Sequence, residues 1–324
     1  MATPSSTAPH QLCIAIICYY AEPRQLHSLL SSVHSQAAQL LVVDNSAADL
    51  SVQQVTEPIT QPFPNCLYLP QTENLGVARG YNLAAKWAQQ HHFSHILLLD
   101  QDSLPDHDMV ERLLSAEATL TGQGVRIATV APRYSDGRDK DIHSTFRRFN
   151  GFAVKRFSCH STRNQPPLIE VDQAISSGSL ISLPALAQIG PMDEAFFIDL
   201  VDTEWVLRAR SMGYLSYGVC DAHMRHQIGD RFIHLPIIGR NIAIHSPLRL
   251  YYLVRNTIFL YKKPYTPRRW ALLDGVNLVV KIGVSFIMAD HRWSQLRRVW
   301  EGVRDGLSGR GGIHSETKRA DTKK

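Results

Sequence analysis

Over the first third of the chain the apolar residues come in short unbroken runs rather than in alternation. Residues 12–19 (LCIAIICY), 40–43 (LLVV), 66–69 (CLYL) and 96–99 (ILLL) are such runs. Several are closed abruptly, the first by Pro23, the second by Asp44-Asn45-Ser46 and the fourth by Asp100-Gln101-Asp102 and Pro105. Continuous apolar runs bounded by turn residues predict strands buried on both faces of a largely parallel sheet. Between them, helical spacing predicts helices over roughly 24–37, from the glycines after Asn74 through Ala88, and over 106–119. Strand, helix and strand joined by short links are βαβ units, so the fold class is α/β.

The pattern then loosens and firms again. Residues 125–131 predict a strand, while 133–168 are loop-rich, polar and basic, with Arg147-Arg148 and Lys155-Arg156. That stretch is either a plain connection or a flap on the acceptor side of a site. Residues 169–183 have β character around Ser176-Ser177-Gly178-Ser179, small residues that let backbone approach a ligand or another strand. Pro184 opens a short helix to Ile189. Asp202 or Thr203 is a good helix cap and Gly213 a good stop for the next one. The main domain is expected over 11–245, a helical region over 246–308, and disorder over 1–10 and 309–324.

Composition narrows the partners. The 324 residues carry a net charge of +5, with 44% hydrophobic and 19% charged residues. The basic excess gathers late, over 249–269 and 292–304, beside aromatic, amphipathic helices. That favours an anionic membrane surface, and no zinc-finger or RNA-binding motif supports nucleic acid. The stretch about 271–289 is interrupted by Asp274 and Lys281, which predicts a buried or interfacial helix rather than a spanning one. Five scattered cysteines without a C-x-x-C pair fit reduced thiols. Residues 1–10 are small and polar, unlike the start of a signal peptide.

Three places carry candidate chemistry. Asp100 and Asp102, at i and i+2 where a strand runs out, point to one side of the carboxyl edge of the sheet. Such oxygen ligands suit a divalent cation shared with substrate phosphates, although a polar turn has the same look. Asp44 ends the second strand, suited either to a ribose or base contact or to opening a loop. Asn74-Leu75-Gly76-Val77-Ala78-Arg79-Gly80 opens a helix, where glycines serve either an anionic ligand or close helix packing. Asp199, Asp202 and Glu204 cluster at a helix start, where the dipole favours acids and where a carboxylate can also act as a general base. His226 follows a strand, with the D-x-D upstream.

Taken together, VVDNS at 42–46, NLGVARGYNLA at 74–84, ILLLDQDSLP at 96–105, FIDLVDTEWVLRA at 197–209 and H-x-x-G-D at 226–230 resemble bacterial family 2 glycosyltransferases of the GT-A fold. The DQDS, VDTEW and HQIGD forms look like the rhamnosyltransferases of O-antigen and related surface polysaccharides. The resemblance spans about residues 12–262. It implies inverting transfer from a nucleotide-sugar, dTDP-L-rhamnose, to a hydroxyl of a lipid-linked oligosaccharide, with Mg²⁺ or Mn²⁺ as cofactor. It further implies a donor site at Asp44, Asn74, Gly76, Arg79, Gly80, Asp100 and Gln101, a metal at Asp102 and His226, and Asp202 as base. The family's usual Glu-Asp pair reads Val201-Asp202, which leaves open whether Asp199 or Glu204 replaces the lost charge. A cytoplasmic protein peripheral on the inner membrane face is expected. The competing readings are a UDP-hexose or UDP-galactofuranose donor, a binding protein without chemistry, and a nucleotidyltransferase. The last would place a basic glycine-rich loop where CYYAEPRQ stands.

Overall fold

A computed structural model describes residues 11–46, 49–136, 146–157, 159, 168–226, 231–235, 240–244, 246–288 and 292–318. The apolar runs are strands β1 (Leu12–Cys18), β2 (Gln39–Asp44), β3 (Cys66–Pro70) and β4 (His95–Asp100). They lie parallel in the order β3-β2-β1-β4. Helices α1 (Pro23–Val33), α2 (Leu50–Thr60) and α3 (Gly76–Gln90) make the crossovers. The unbroken apolar character of β1 follows from burial on both faces. Cys13, Ala15 and Ile17 face one core with α3, while Leu12, Ile14 and Ile16 face another with α1. Helix α2 was not expected from the sequence: its moderate amphipathicity buries only Thr56 and Thr60 fully.

Beyond β4 the sheet continues through β10 (Leu180–Ser182), β6 (Ile127–Ser135), β11 (Leu215–His226) and the short β5 (Ser103–Pro105), with β9 (Leu168–Val171) also on β11. Strand β10 runs antiparallel to both β4 and β6. The pairing that makes the site is β5 against β11, because its register sets Ser103 opposite His226. The loop-rich stretch contains a hairpin that the sequence did not announce, β7 (Phe146–Phe149) with β8 (Val154–Phe157). Strands β12 (Arg231–Leu235) and β13 (Arg240–Ile244) form a second hairpin. Cys159 and Cys220 are joined in a disulfide across 61 residues, against the expectation of free thiols; Cys13, Cys18 and Cys66 are free. Sequence spacing carries no trace of that pairing, which the fold creates by bringing β11 beside the segment after β8.

The remaining helices are α4 (Met109–Gly122), α5 (Leu183–Ile189), α6 (Val201–Ser211), α7 (Pro247–Lys262), α8 (Arg268–Met288) and α9 (Arg292–Ser308). For helix α7 the sequence allows contact with a membrane or packing on the domain, and burial of Leu250, Tyr251, Tyr252, Leu253, Val254 and Leu260 shows the packing. It is a core helix. Helix α8 is the reverse: it is long and apolar enough to cross a membrane, with a mean hydropathy of 1.6 over Arg268–Ile287, and only 11% of that window is buried. The expected tail from 309 is packed as far as Lys318, where Arg255 donates to the Gly312 carbonyl and Tyr252 meets Thr317. Residues 1–10 and 319–324 lie outside the described residues.

Candidate active site

Strand β4 ends at Asp100, and the turn into β5 carries Gln101 and Asp102 before Ser103 pairs with His226 on β11. Ligand atoms of Asp100, Asp102 and His226 therefore converge within 4.8 Å of one another. His226 Nδ1 lies 3.2 Å from Asp102 Oδ1 and 3.0 Å from Ser103 Oγ. Burial works against a charged His226, but the hydrogen bond and charge of Asp102, with Asp100 and Asp136, prevail and raise its pKa. Burial raises the Asp100 pKa, with Asp102 adding to the effect and His226, Tyr81 and Arg249 opposing it. Two carboxylates and an imidazole suit Mg²⁺ or Mn²⁺, so the donor set fits the implied metal. Gly229 and Asp230 of the H-x-x-G-D motif lie outside the described residues.

Asp202 approaches the same region from α6. Its Oδ1 accepts from the Thr203 amide at 2.6 Å and its Oδ2 from the Ser176 amide at 3.2 Å. Burial, reinforced by the charge of Asp100 and opposed by those hydrogen bonds, pushes its pKa up to about 6. Asp202 is not the helix cap that its sequence position suggested. Leu200 fills that place in the left-handed conformation, at φ 61° and ψ 9°, and Asp202 sits one residue inside the helix. Tyr81 of α3, which the sequence reading left without a role, donates to Asp100 Oδ1 at 2.7 Å. Ser177 accepts from the Asp100 amide at 3.1 Å and shares a 2.5 Å hydrogen bond with Ser103. The serine cluster thus braces both acidic centres, while its Gly178 meets Pro132 of β6.

Three expected donor residues, Gly76, Gly80 and Asp44, are engaged by the protein itself. A Cβ at Gly76 would fall 2.5 Å from the Phe197 ring, and one at Gly80 would fall 3.0 Å from Ile17. The Cβ side of both glycines is filled by protein, so both serve the packing of α3. Gly76 also needs its positive φ of 72°. Asp44 is fully buried, with its oxygens taken by Ser46 at 2.5 and 2.9 Å and by Tyr68 at 2.7 Å. It braces the end of β2 and offers no open carboxylate. Asn74 accepts from the Gly76 amide, and Arg79, half-exposed, pairs with Glu73. Gln101 ties the D-x-D turn to the backbone of Tyr19 at the end of β1. His223 is engaged by Asp106 and Ser135.

The acids beside Asp202 have other tasks. Asp199 makes a forked contact with Arg249 at 3.1–3.3 Å. Glu204 is buried and pairs with Arg208 at 2.9 and 3.0 Å and with the Tyr265 hydroxyl. The loop that delivers α6 is strained, with Phe197, Asp199 and Leu200 all at φ between 61° and 63°. Each such residue costs about 1–3 kcal/mol. Helix α7 supplies the restraint. Buried Asn256 donates to the carbonyls of Phe196, Ile198 and Asp199 at 2.6–2.8 Å, and buried Arg255 to those of Ala195, Phe196 and Gly312 at 2.6–3.1 Å. Nothing in the local sequence near Asp202 signals this clamp, because it comes from some 55 residues downstream. Asn256→Ala is expected to cost about 1–3 kcal/mol in urea denaturation. It should also lower kcat ~10- to 100-fold with little change in KM, because Asp202 is misplaced rather than removed.

Comparison with known proteins agrees with this layout. The family described as Glycosyl transferase family 2 matches residues 14–171. A dTDP-rhamnosyl transferase of Shigella flexneri, RfbF, is 29% identical over 296 residues, covering 91% of this chain and 94% of that protein. Among solved structures, S. aureus TarS superposes with a TM-score of 0.57 at 12% identity, over 95% of this chain and 50% of that one. GalNAc-T7 with UDP, GalNAc and Mn²⁺ gives 0.57 at 11% identity, over 92% and 56%. The chain spans about half the length of those two structures, and at such identities they speak for the fold alone.

Proposed function

We propose that the chain is a rhamnosyltransferase-like family 2 glycosyltransferase, on the GT-A fold of its structural neighbours, and that it moves L-rhamnose from dTDP-L-rhamnose to a hydroxyl of a lipid-linked glycan. The convergence of Asp100, Asp102 and His226, with Asp202 close enough for its charge and that of Asp100 to interact, carries the reading. The rhamnosyl donor rests on the likeness to RfbF. A lipid-linked acceptor in surface polysaccharide synthesis, at the cytoplasmic face of the membrane, extends the same reading.

Asp202 takes the proton of the acceptor hydroxyl, whose oxygen then attacks the anomeric carbon from the face opposite the diphosphate. The carbon–oxygen bond to the diphosphate breaks, its electron pair stays on the phosphate oxygen, and the configuration inverts. No enzyme-bound sugar is formed. Asp100, Asp102 and His226 would hold a divalent cation, which supplies Lewis-acid neutralisation of the leaving diphosphate when bound. Tyr81, Ser177 and Ser103 fix the carboxylates and imidazole on which that depends. The raised pKa sets the sign of the pH dependence. Asp202 must be ionised to accept a proton, so kcat/KM is expected to fall as pH drops through about 6. Initial rates across pH 4.5 to 8, with the protein shown to be folded throughout, test this. The reading itself is tested by incubating the purified protein with radiolabelled dTDP-L-rhamnose and bacterial membranes. Label entering the lipid fraction supports it, and label confined to free sugar opposes it.

A further inference from the structure

Helix α9 is amphipathic in the wrong sense for a helix packed on a soluble protein. Its inward face is polar or small: Gln295, Glu301, Gly302, Asp305 and Gly306 are buried. Gly302 and Gly306 admit α7 so closely that a Cβ on either would fall 2.8–2.9 Å from it, and Asp305 accepts from Tyr251 at 2.9 Å. The outward face carries Trp293, Leu296, Trp300, Val303 and Leu307, spaced as one stripe. Trp293 is 84% exposed and Trp300 62%. Helix α8 also turns apolar residues outward. Leu278 and Ile282 pack on α7, while Leu272, Val276, Val279 and Ile287 face outward.

We propose that the outward faces of α8 and α9 are a docking surface for an anionic lipid bilayer, on which both helices lie without crossing it. Charge selects this occupant. All three acids of the two helices are held inward or paired: Asp274 by Tyr261, Glu301 by Arg297 and Arg298, Asp305 by Tyr251 and Arg304. Exposed Arg268, Arg269 and Arg292 lie at the helix starts. The β7–β8 hairpin adds to the basic side. Its register sets Arg148 opposite Lys155 and Arg147 opposite Arg156; Arg148 is paired with Glu170, while Arg147 and Lys155 are exposed. Its tip residue Phe152, 77% exposed, sits 4.8 Å beneath the Arg269 guanidinium, so the hairpin reaches the start of α8. Tryptophan with arginine around an aliphatic stripe suits the headgroup boundary of a bilayer. The Asp274–Tyr261 bond and the packing of Leu278 and Ile282 hold α8 along α7, which is why it lies on the bilayer. The inference deepens the lipid-linked acceptor reading by naming the surface that meets the lipid.

The test is flotation of the full-length protein with vesicles of phosphatidylcholine alone and of phosphatidylcholine with phosphatidylglycerol. Binding to the anionic vesicles, weakened by salt, with a blue shift of tryptophan emission, is the expected result. Trp293→Ser with Trp300→Ser should lower binding at least tenfold, and Lys155→Glu with Arg292→Glu should remove the preference for anionic lipid. Donor binding by each variant, measured in detergent-free buffer, is expected to be unchanged, which also shows that the variants fold. Absence of vesicle binding would overturn the proposal, as would binding indifferent to both pairs of substitutions. So would a stable dimer that buries the tryptophans, or protein that resists high-salt and carbonate extraction as a spanning helix does. None of these outcomes touches donor binding, which is read separately without membranes.

Discussion

Asp202→Asn lowers sugar transfer ~100- to 10,000-fold while donor affinity stays near that of the unaltered protein. That loss corresponds to about 3–5 kcal/mol of transition-state stabilisation. The reasoning is steric and electrostatic together. Asparagine keeps the side-chain shape and an oxygen for the Thr203 amide; its NH2 gives up the Ser176 hydrogen bond, and it cannot take a proton. The ionised carboxylate is also the unfavourable form in the folded state, since burial raises its pKa from 3.8 to about 6. A raised folded pKa means that stability falls as pH rises through that window, so a neutral residue relieves a cost. Relief of that cost offsets the lost Ser176 bond, so thermal melting at pH 7.5 is expected to show little net change for the variant, which separates lost chemistry from lost fold. A variant that melts normally and still turns over at the original rate would remove Asp202 from the mechanism.

The second large effect is expected at the D-x-D turn. Asp102→Ala should weaken metal-dependent donor binding by at least ~100-fold, because the loss of a direct ligand exceeds the 10- to 100-fold typical of its supporting neighbours. Asp100→Ala should behave similarly, with the added loss of the Tyr81 hydrogen bond. Calorimetric titration of donor at several Mn²⁺ concentrations reads this directly: the metal dependence should flatten. Retention of a steep Mn²⁺ dependence in Asp102→Ala would place the cation elsewhere. His226→Ala is a weaker perturbation, since both carboxylates remain.

The contrast between legible and illegible features follows from how local each one is. Strand β4 and its acidic end were legible because an apolar run closed by Asp-x-Asp is a purely local signal, and α6 was legible for the same reason. His226 stood out as a residue following a strand, yet its approach to Asp102 depends on β5 pairing with β11, which no local pattern encodes. Gly76 and Gly80 were open to two readings, ligand cradle or packing, and the part they play in packing shows only in the positions of Phe197 and Ile17. Asp44 illustrates a different limit. Its place at a strand end was foreseen, but the closure of Ser46 and Tyr68 around it was not. The Asn256 clamp and the Cys159–Cys220 disulfide are contacts between distant parts of the chain, so composition and periodicity are silent about them. The C-terminal helices show how hydrophobic pattern alone misassigns faces. Helix α7 reads as amphipathic and aromatic yet is core, whereas the apolar stripe of α9 faces out.

Calorimetric binding of dTDP-L-rhamnose, UDP-glucose and UDP-galactose to the purified protein, with and without Mn²⁺, tests the central claim most directly. The account predicts tight, metal-dependent binding of dTDP-L-rhamnose and negligible heat from either UDP-sugar. Preferential binding of a UDP-sugar would contradict the rhamnosyl assignment, and metal-independent binding of any donor would contradict the role given to Asp100, Asp102 and His226.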